Sequence, residues 1–169
     1  MAIAIDATSA SSGVSSVSSV TYSHTVAATN EVIAVSIGAR TNKANTNNIV
    51  STVTYNGTSC TSQEADANIA GDPDTFSGRT AIYTLVNPST GANNVVVTWT
   101  GTVTYGASGA SSWTGVDQTT PVDATGGATG LIIVLSAGGT TTVDNCYLID
   151  AVYSRSGTLT KDASQTTIA

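Results

Sequence analysis

The sequence predicts an all-β protein, a single-domain antiparallel β-sandwich of about ten strands. Short runs of apolar or alternating residues, of strand length, recur along the chain. Clusters of Gly, Asn, Ser and Pro separate them at the spacing of sandwich turns, and no segment carries the 3.6-residue period of an amphipathic helix. With 169 residues, 40% of them hydrophobic, the chain can fill one core, and it has the opposite composition to a disordered segment.

The elements follow in chain order. Residues 1–16 read as an N-terminal arm. Val20, Tyr22, His24 and Val26 alternate with Thr21, Ser23 and Thr25, the period-two mark of a half-buried strand. Glu31 to Ile37 is apolar on both parities and is expected at the centre of a sheet, covered on both faces. Ile49 to Tyr55 and Thr58 to Thr61 flank Asn56-Gly57, whose two residues tolerate the positive φ of a tight hairpin turn. Gln63 to Arg79 lacks periodicity and reads as a long surface loop.

Thr80 to Val86 and Asn94 to Thr100 form a second strand-turn-strand unit around Asn87-Pro88 and Gly91. Val103, Tyr105, Ala107, Gly109, Ser111 and Trp113 share one parity of the next strand. Leu131 to Leu135, Thr140 to Val143, Tyr147 to Tyr153 and Thr158 to Lys161 complete the expected strands, and residues 162–169 form a C-terminal tail.

Charge narrows the function classes. Sixteen residues are charged, one is a histidine, and about three in ten are Ser or Thr, so the types that carry acid-base and nucleophilic chemistry are scarce. The reading is therefore non-enzymatic, with no cofactor. A net charge of −6 and five scattered basic residues argue against nucleic acid and against an anionic membrane surface. The N-terminal residues have neither the basic nor the apolar region of a signal peptide.

The candidate sites each have a plain structural alternative. His24 lies on the apolar parity of its strand, where a core or interface histidine is expected. Glu31 and Glu64 are the only glutamates, and a glycosidase-type pair of Glu64 with an aspartate competes with solvated loop charge. Asp66, Asp72 and Asp74 could supply oxygen ligands to calcium, although they lack the spacing of a known calcium loop. Asp150 interrupts an apolar strand and fits a sheet edge or a subunit contact. Cys60 and Cys146 are either a disulfide or, the reading preferred here, two separate buried thiols. Trp113, Tyr105 and Tyr153 are candidates for stacking a sugar, whereas Trp99 shares a face with valines and belongs to the core. Asn56-Gly-Thr58 matches a glycosylation sequon that the hairpin turn already explains.

Four segments carry a resemblance: Ser51-Thr-Val-Thr-Tyr-Asn-Gly57, Ile82 to Gly91, Asn93-Asn-Val-Val-Val-Thr-Trp99 and Ser112 to Pro121. Across residues 17–155 the chain resembles a largely uncharacterised β-sandwich domain of phage structural proteins and large bacterial surface proteins. The resemblance implies a jelly-roll-like fold and a place on a virion or cell surface, and it supplies no catalytic residue. Domains of that group continue with further apolar strands beyond the segment resembling Asp144 to Gly157, whereas this sequence turns polar and stops at Ala169. An unpaired edge there would invite pairing with another chain.

The expected function is a structural protein of a virion surface, a decoration, cement or fibre component. Its expected partners are copies of itself or a lattice protein, and its expected location is the virion surface or the extracellular space. Two alternatives stand beside it: a glycan- or receptor-binding module of an adhesin or tail protein, and an extracellular filament subunit that donates a strand.

Overall fold

The computed structural model describes residues 2–42, 49–65, 76–128, 140–154, Thr160 and Ala163. Nine strands occur among them and no helix: β1 (Ala4–Ala10), β2 (Val17–Val26), β3 (Val32–Asn42), β4 (Val50–Tyr55), β5 (Thr58–Ser59), β6 (Thr61–Ala65), β7 (Phe76–Val86), β8 (Gly91–Val103) and β9 (Tyr105–Thr114). They form two antiparallel sheets, a five-stranded one in the order β1-β9-β3-β7-β6 and a four-stranded one in the order β2-β8-β4-β5. The pairing is nested. First pairs with last, β1 with β9; then come β2 with β8, β3 with β7 and β4 with β5.

Local chemistry fixes the innermost pair. Asn56 and Gly57 both take positive φ, 48° and 76°, and so place Tyr55 opposite Thr58. Past Ser59 the chain leaves the smaller sheet, with Cys60 N–H still donating to Val53 O at 2.8 Å, and enters the larger one as β6.

The core lies between the sheets. Ile33, Val35, Ile37 and Ala39 of β3 meet Val95, Val97 and Trp99 of β8, with Val53 and Tyr55 of β4 and Ala81 and Tyr83 of β7 filling the sides. Each fully buried Val or Ile contributes roughly 1.5–3 kcal/mol of transfer free energy. Gly106 is required where it stands, because a Cβ there would press into the Trp99 ring. As its two-parity pattern predicts, β3 is the middle strand of the larger sheet and is buried from Val32 through Val35.

Several expectations need correction. Residues 4–10, read as part of an arm, are β1, held by its ladder to β9 and not by an apolar pattern of its own. The loop expected over Gln63 to Arg79 is overturned at both ends, since Gln63 to Ala65 belong to β6 and Phe76 to Arg79 open β7, while 66–75 lie outside the described residues. Thr140 to Val143 and Tyr147 to Tyr153 are not strands. The second of these segments is laid over the outer face of the larger sheet. Ile149, Ala151 and Tyr153 are half-buried while Leu148, Asp150 and Val152 are exposed. Period-two alternation reports which residues touch a surface; here that surface is a sheet face and not a neighbouring strand. Leu131 to Leu135 lie outside the described residues, as does Thr158 to Lys161 apart from Thr160.

Candidate functional site

The C-terminal segment walls a cleft on the outer face of the larger sheet. Register places Arg40 of β3 opposite Tyr105 of β9 on one side and opposite Gly78 of β7 on the other. Gly78 has no side chain, and the Tyr153 ring occupies the space its Cβ would need. One rank across three strands therefore reads Tyr105, Arg40, Gly78, with the Tyr153 ring laid over the last. The hydroxyl end of Tyr105 rests on Gly13 in the same manner, so glycine backbone holds both rings. Gly38 pairs with Ala107 in the next rank, and among the described residues no atom lies within 4 Å of where a Cβ on Gly38 would project.

Gly38, Arg40, Ala107, Tyr105, Val152 and Tyr153, with Thr104 and Ser154, line a cleft of about 520 Å³. Tyr105 is half-exposed, at 51%. Among the described residues no carboxylate lines the cleft. The structure thus brings together two of the three aromatic residues singled out from sequence. The third, Trp113, does not join them. It is 5% exposed, donates from Nε1 to Ser111 Oγ at 2.7 Å, and lies under Tyr147 with ring centroids 4.9 Å apart. Trp113 anchors the segment and offers no free ring face to a ligand. Arg40, which sequence reasoning passed over as one of five scattered basic residues, becomes visible only once register sets it between the tyrosines.

A second cluster is buried between the sheets, where β1 meets β2 and the start of β3. The β1 ladder shifts register between Ile5 and Ala7, and Asp6 at that irregularity reaches inward. Its Oδ2 accepts from Ser112 Oγ at 2.8 Å and from Ala27 N–H at 3.1 Å. Glu31 is fully buried, and its Oε1 accepts from Ala28 N–H at 3.0 Å, while Oε2 receives no donor. The Asp6 carboxyl lies within hydrogen-bonding reach of Glu31. His24, 2% exposed, bonds Ser9 Oγ through Nδ1 at 2.9 Å and leaves Nε2 without a partner.

Burial and the neighbouring Asp6 charge push Glu31 above the ordinary carboxylate range. Burial pushes Asp6 up as well, but hydrogen bonds from Ala27, Ser112 and Glu31, with His24 close by, reverse this and hold it below its ordinary value. Burial lowers His24, more than Asp6 raises it. A protonated Glu31 donating to an ionised Asp6 satisfies both carboxyls, so one proton on the pair is the stable arrangement. This cluster ties β1 to the body of the sandwich through Ser9 and Asp6.

The remaining candidates lie apart from one another. Cys60 and Cys146 are both free. Cys60 is half-buried and its thiol is pushed up by burial to about 11, whereas Cys146 is exposed, in contrast to the buried thiol expected, because its segment runs outside the sandwich. Asp150 is exposed, and its carbonyl faces Ser36 Oγ at 3.5 Å. Glu64 pairs with Ile82 in the β6–β7 ladder. Asp66, Asp72 and Asp74 lie outside the described residues. The chain matches no protein-family model, no curated protein and no solved structure.

Proposed function

We propose that this protein is a non-enzymatic structural module of jelly-roll type, placed on the surface of a virion or another extracellular assembly. Nested pairing of β1 with β9, β2 with β8, β3 with β7 and β4 with β5 supports the jelly-roll assignment, since it describes one long hairpin rolled into two sheets. The resemblance of residues 17–155 to phage and bacterial surface domains supports the setting.

One observation carries the assembly reading. The C-terminal segment turns Val143, Tyr147, Leu148 and Val152 outward, at 59%, 58%, 87% and 55% exposure. Apolar residues grouped on a surface in this way mark a contact with another protein. Contact through this face is favoured over strand donation because the sheet edges are poor templates. The ladders of the edge strands β1, β2 and β6 each contain a register shift, and β5 has two residues. The partner is a second copy or an adjoining lattice protein.

Methyl NMR tests which face is used. Between about 20 µM and 1 mM protein, the resonances of Leu148 and Val152 shift progressively, while those of Val53 and Val97 in the core stay fixed. Shifts confined to β1, β2 or β6 would assign the contact to an edge and overturn the face reading.

A further inference from the structure

We infer that β1 is a pH-gated strand: the Asp6–Glu31 pair clamps it to the sandwich while the pair holds one proton, and when that proton leaves, β1 lifts from β9 with the rest of both sheets in place. The inference is independent of the assembly face.

The way β1 is attached makes it separable. None of its residues is buried, and Ile5, its largest apolar side chain, is 40% exposed, so little apolar burial holds it. Its ladder to β9 is broken between Ile5 and Ala7, whereas the ladder of β9 to β3 runs without a shift from Tyr105 to Trp113. Loss of β1 therefore leaves β9 supported. The hinge is defined as well. Ser11 N–H donates to Ser108 O, and Val14 and Gly106 exchange both of their N–H···O bonds, all at 2.8 Å, so the link to β2 stays fastened and lifting is confined to Ala4–Ala10.

The clamp is polar and lies in one place. Asp6 accepts from Ser112 Oγ of β9 and from Ala27 N–H, Glu31 accepts from Ala28 N–H next to it, and the two carboxyls are within hydrogen-bonding reach of each other. Two ionised carboxylates this close repel, and Glu31 is fully buried, where water does not screen it. One proton between them turns the repulsion into a hydrogen bond. His24 of β2 also faces the pair, with its ring edge-on to Tyr55 of β4, and β9 contributes the uncharged Ser112. Asp117 lies in the loop whose Gln118 donates to Asn30 O, and turns its own carboxylate to the N–H groups of Thr119 and Thr120. The basic residues among those described, Arg40 and Arg79, stand at the opposite end of the β3–β7 ladder, roughly 25 Å along the strands from Glu31.

The direction of the gate follows from what opening changes. When β1 lifts, Asp6 departs and water reaches Glu31, whose carboxyl then returns from its raised value towards 4.5. The docked state thus holds the Glu31 proton more tightly, and docking weakens as pH rises from 4.5 through the raised value. Asp6, held low when docked, favours docking above 3.8. His24, held low by burial, opposes docking below 6.5. At pH 8 His24 is neutral in both states, and the carboxyl pair alone decides.

Native-state amide exchange of the full chain at pH 8, followed residue by residue by NMR, tests the inference. After correction for intrinsic rates, the amides of β1 should exchange at least about tenfold faster than those of β3, because β1 opens without the rest of the fold. Glu31→Gln should slow β1 exchange about fivefold or more, and its advantage over wild type should close towards pH 4.5. In an Asp6→Asn background the same change at Glu31 should alter β1 exchange less than about twofold, since Glu31 then has no charged neighbour on β1. Equal protection of β1 and β3, β1 exchange unaffected by Glu31→Gln, an advantage independent of pH, or the full effect persisting beside Asp6→Asn would each overturn the inference.

Discussion

At the scale of single residues, the buried acids are the most informative feature. Glu31 lies in the interior with Oε1 satisfied by Ala28 N–H, Oε2 without a donor, and the Asp6 charge close by. A carboxyl raised in the folded state contributes stability that is complete below its ordinary value of 4.5 and is lost as pH rises through the raised value. Asp6 acts in the opposite sense: its stabilisation is present above 3.8 and disappears as acid titrates it. His24, lowered by burial, begins to cost stability as pH falls below 6.5. Glu31→Gln keeps an acceptor for Ala28 and offers Asp6 an amide N–H that never titrates. Its melting temperature should exceed wild type by about 2–4 °C at pH 8, on the order of 1 kcal/mol for a chain of this size. The advantage should vanish near pH 4. A difference independent of pH would mean that the Glu31 proton plays no part.

Legibility at this scale was uneven for physical reasons. Parity marked His24 as inward, and the valines around Trp99 marked its burial. Asp6 was hidden because an irregularity in the ladder turns it inward, and sequence alternation does not report ladder irregularities. Arg40 was hidden because its significance depends on cross-strand register, and register depends on which strands pair.

At the scale of elements, the segment from Tyr147 to Tyr153 is the instructive case. Its alternation was legible, and the alternate residues do face the body of the protein, but as a strap across a sheet and not as a strand. Ring contacts fasten both its ends, Tyr147 on Trp113 and Tyr153 over Gly78, and Ser36 Oγ meets the Asp150 carbonyl between them. Gly78→Ala puts a methyl group into the Tyr153 ring and should lift the strap from its end. In a Trp99→Phe background, which leaves Trp113 as the sole reporter, fluorescence emission should then shift to the red as Trp113 gains water. Emission unchanged from the Trp99→Phe parent would show that the strap does not depend on this contact. By contrast, the Asn56-Gly57 hairpin was fully legible, because both turn positions need a backbone conformation that few residues adopt easily.

At the scale of the whole molecule, short alternating runs separated by Gly, Asn, Ser and Pro clusters led correctly to two antiparallel sheets around a Val- and Ile-rich core. Strand β1 was missed because Ala-Ile-Asp-Ala-Thr-Ser-Ala is short, small and only partly buried. Its place comes from the ladder that β9 offers, a property of the closed fold and not of the segment. The cleft was legible in part, through Tyr105 and Tyr153, while the strap that closes it was not.

The central claim is that the outward face of the strap joins this protein to its neighbours. Light scattering on a sizing column, over a hundredfold range of concentration, tests it most directly when wild type is compared with Leu148→Asp. Leu148 is 87% exposed, so its replacement should leave the fold intact. Wild type should rise in mass with concentration towards a discrete oligomer, and Leu148→Asp should remain monomeric throughout. If both chains are monomers at every concentration, or associate to the same extent, the strap is not the assembly face.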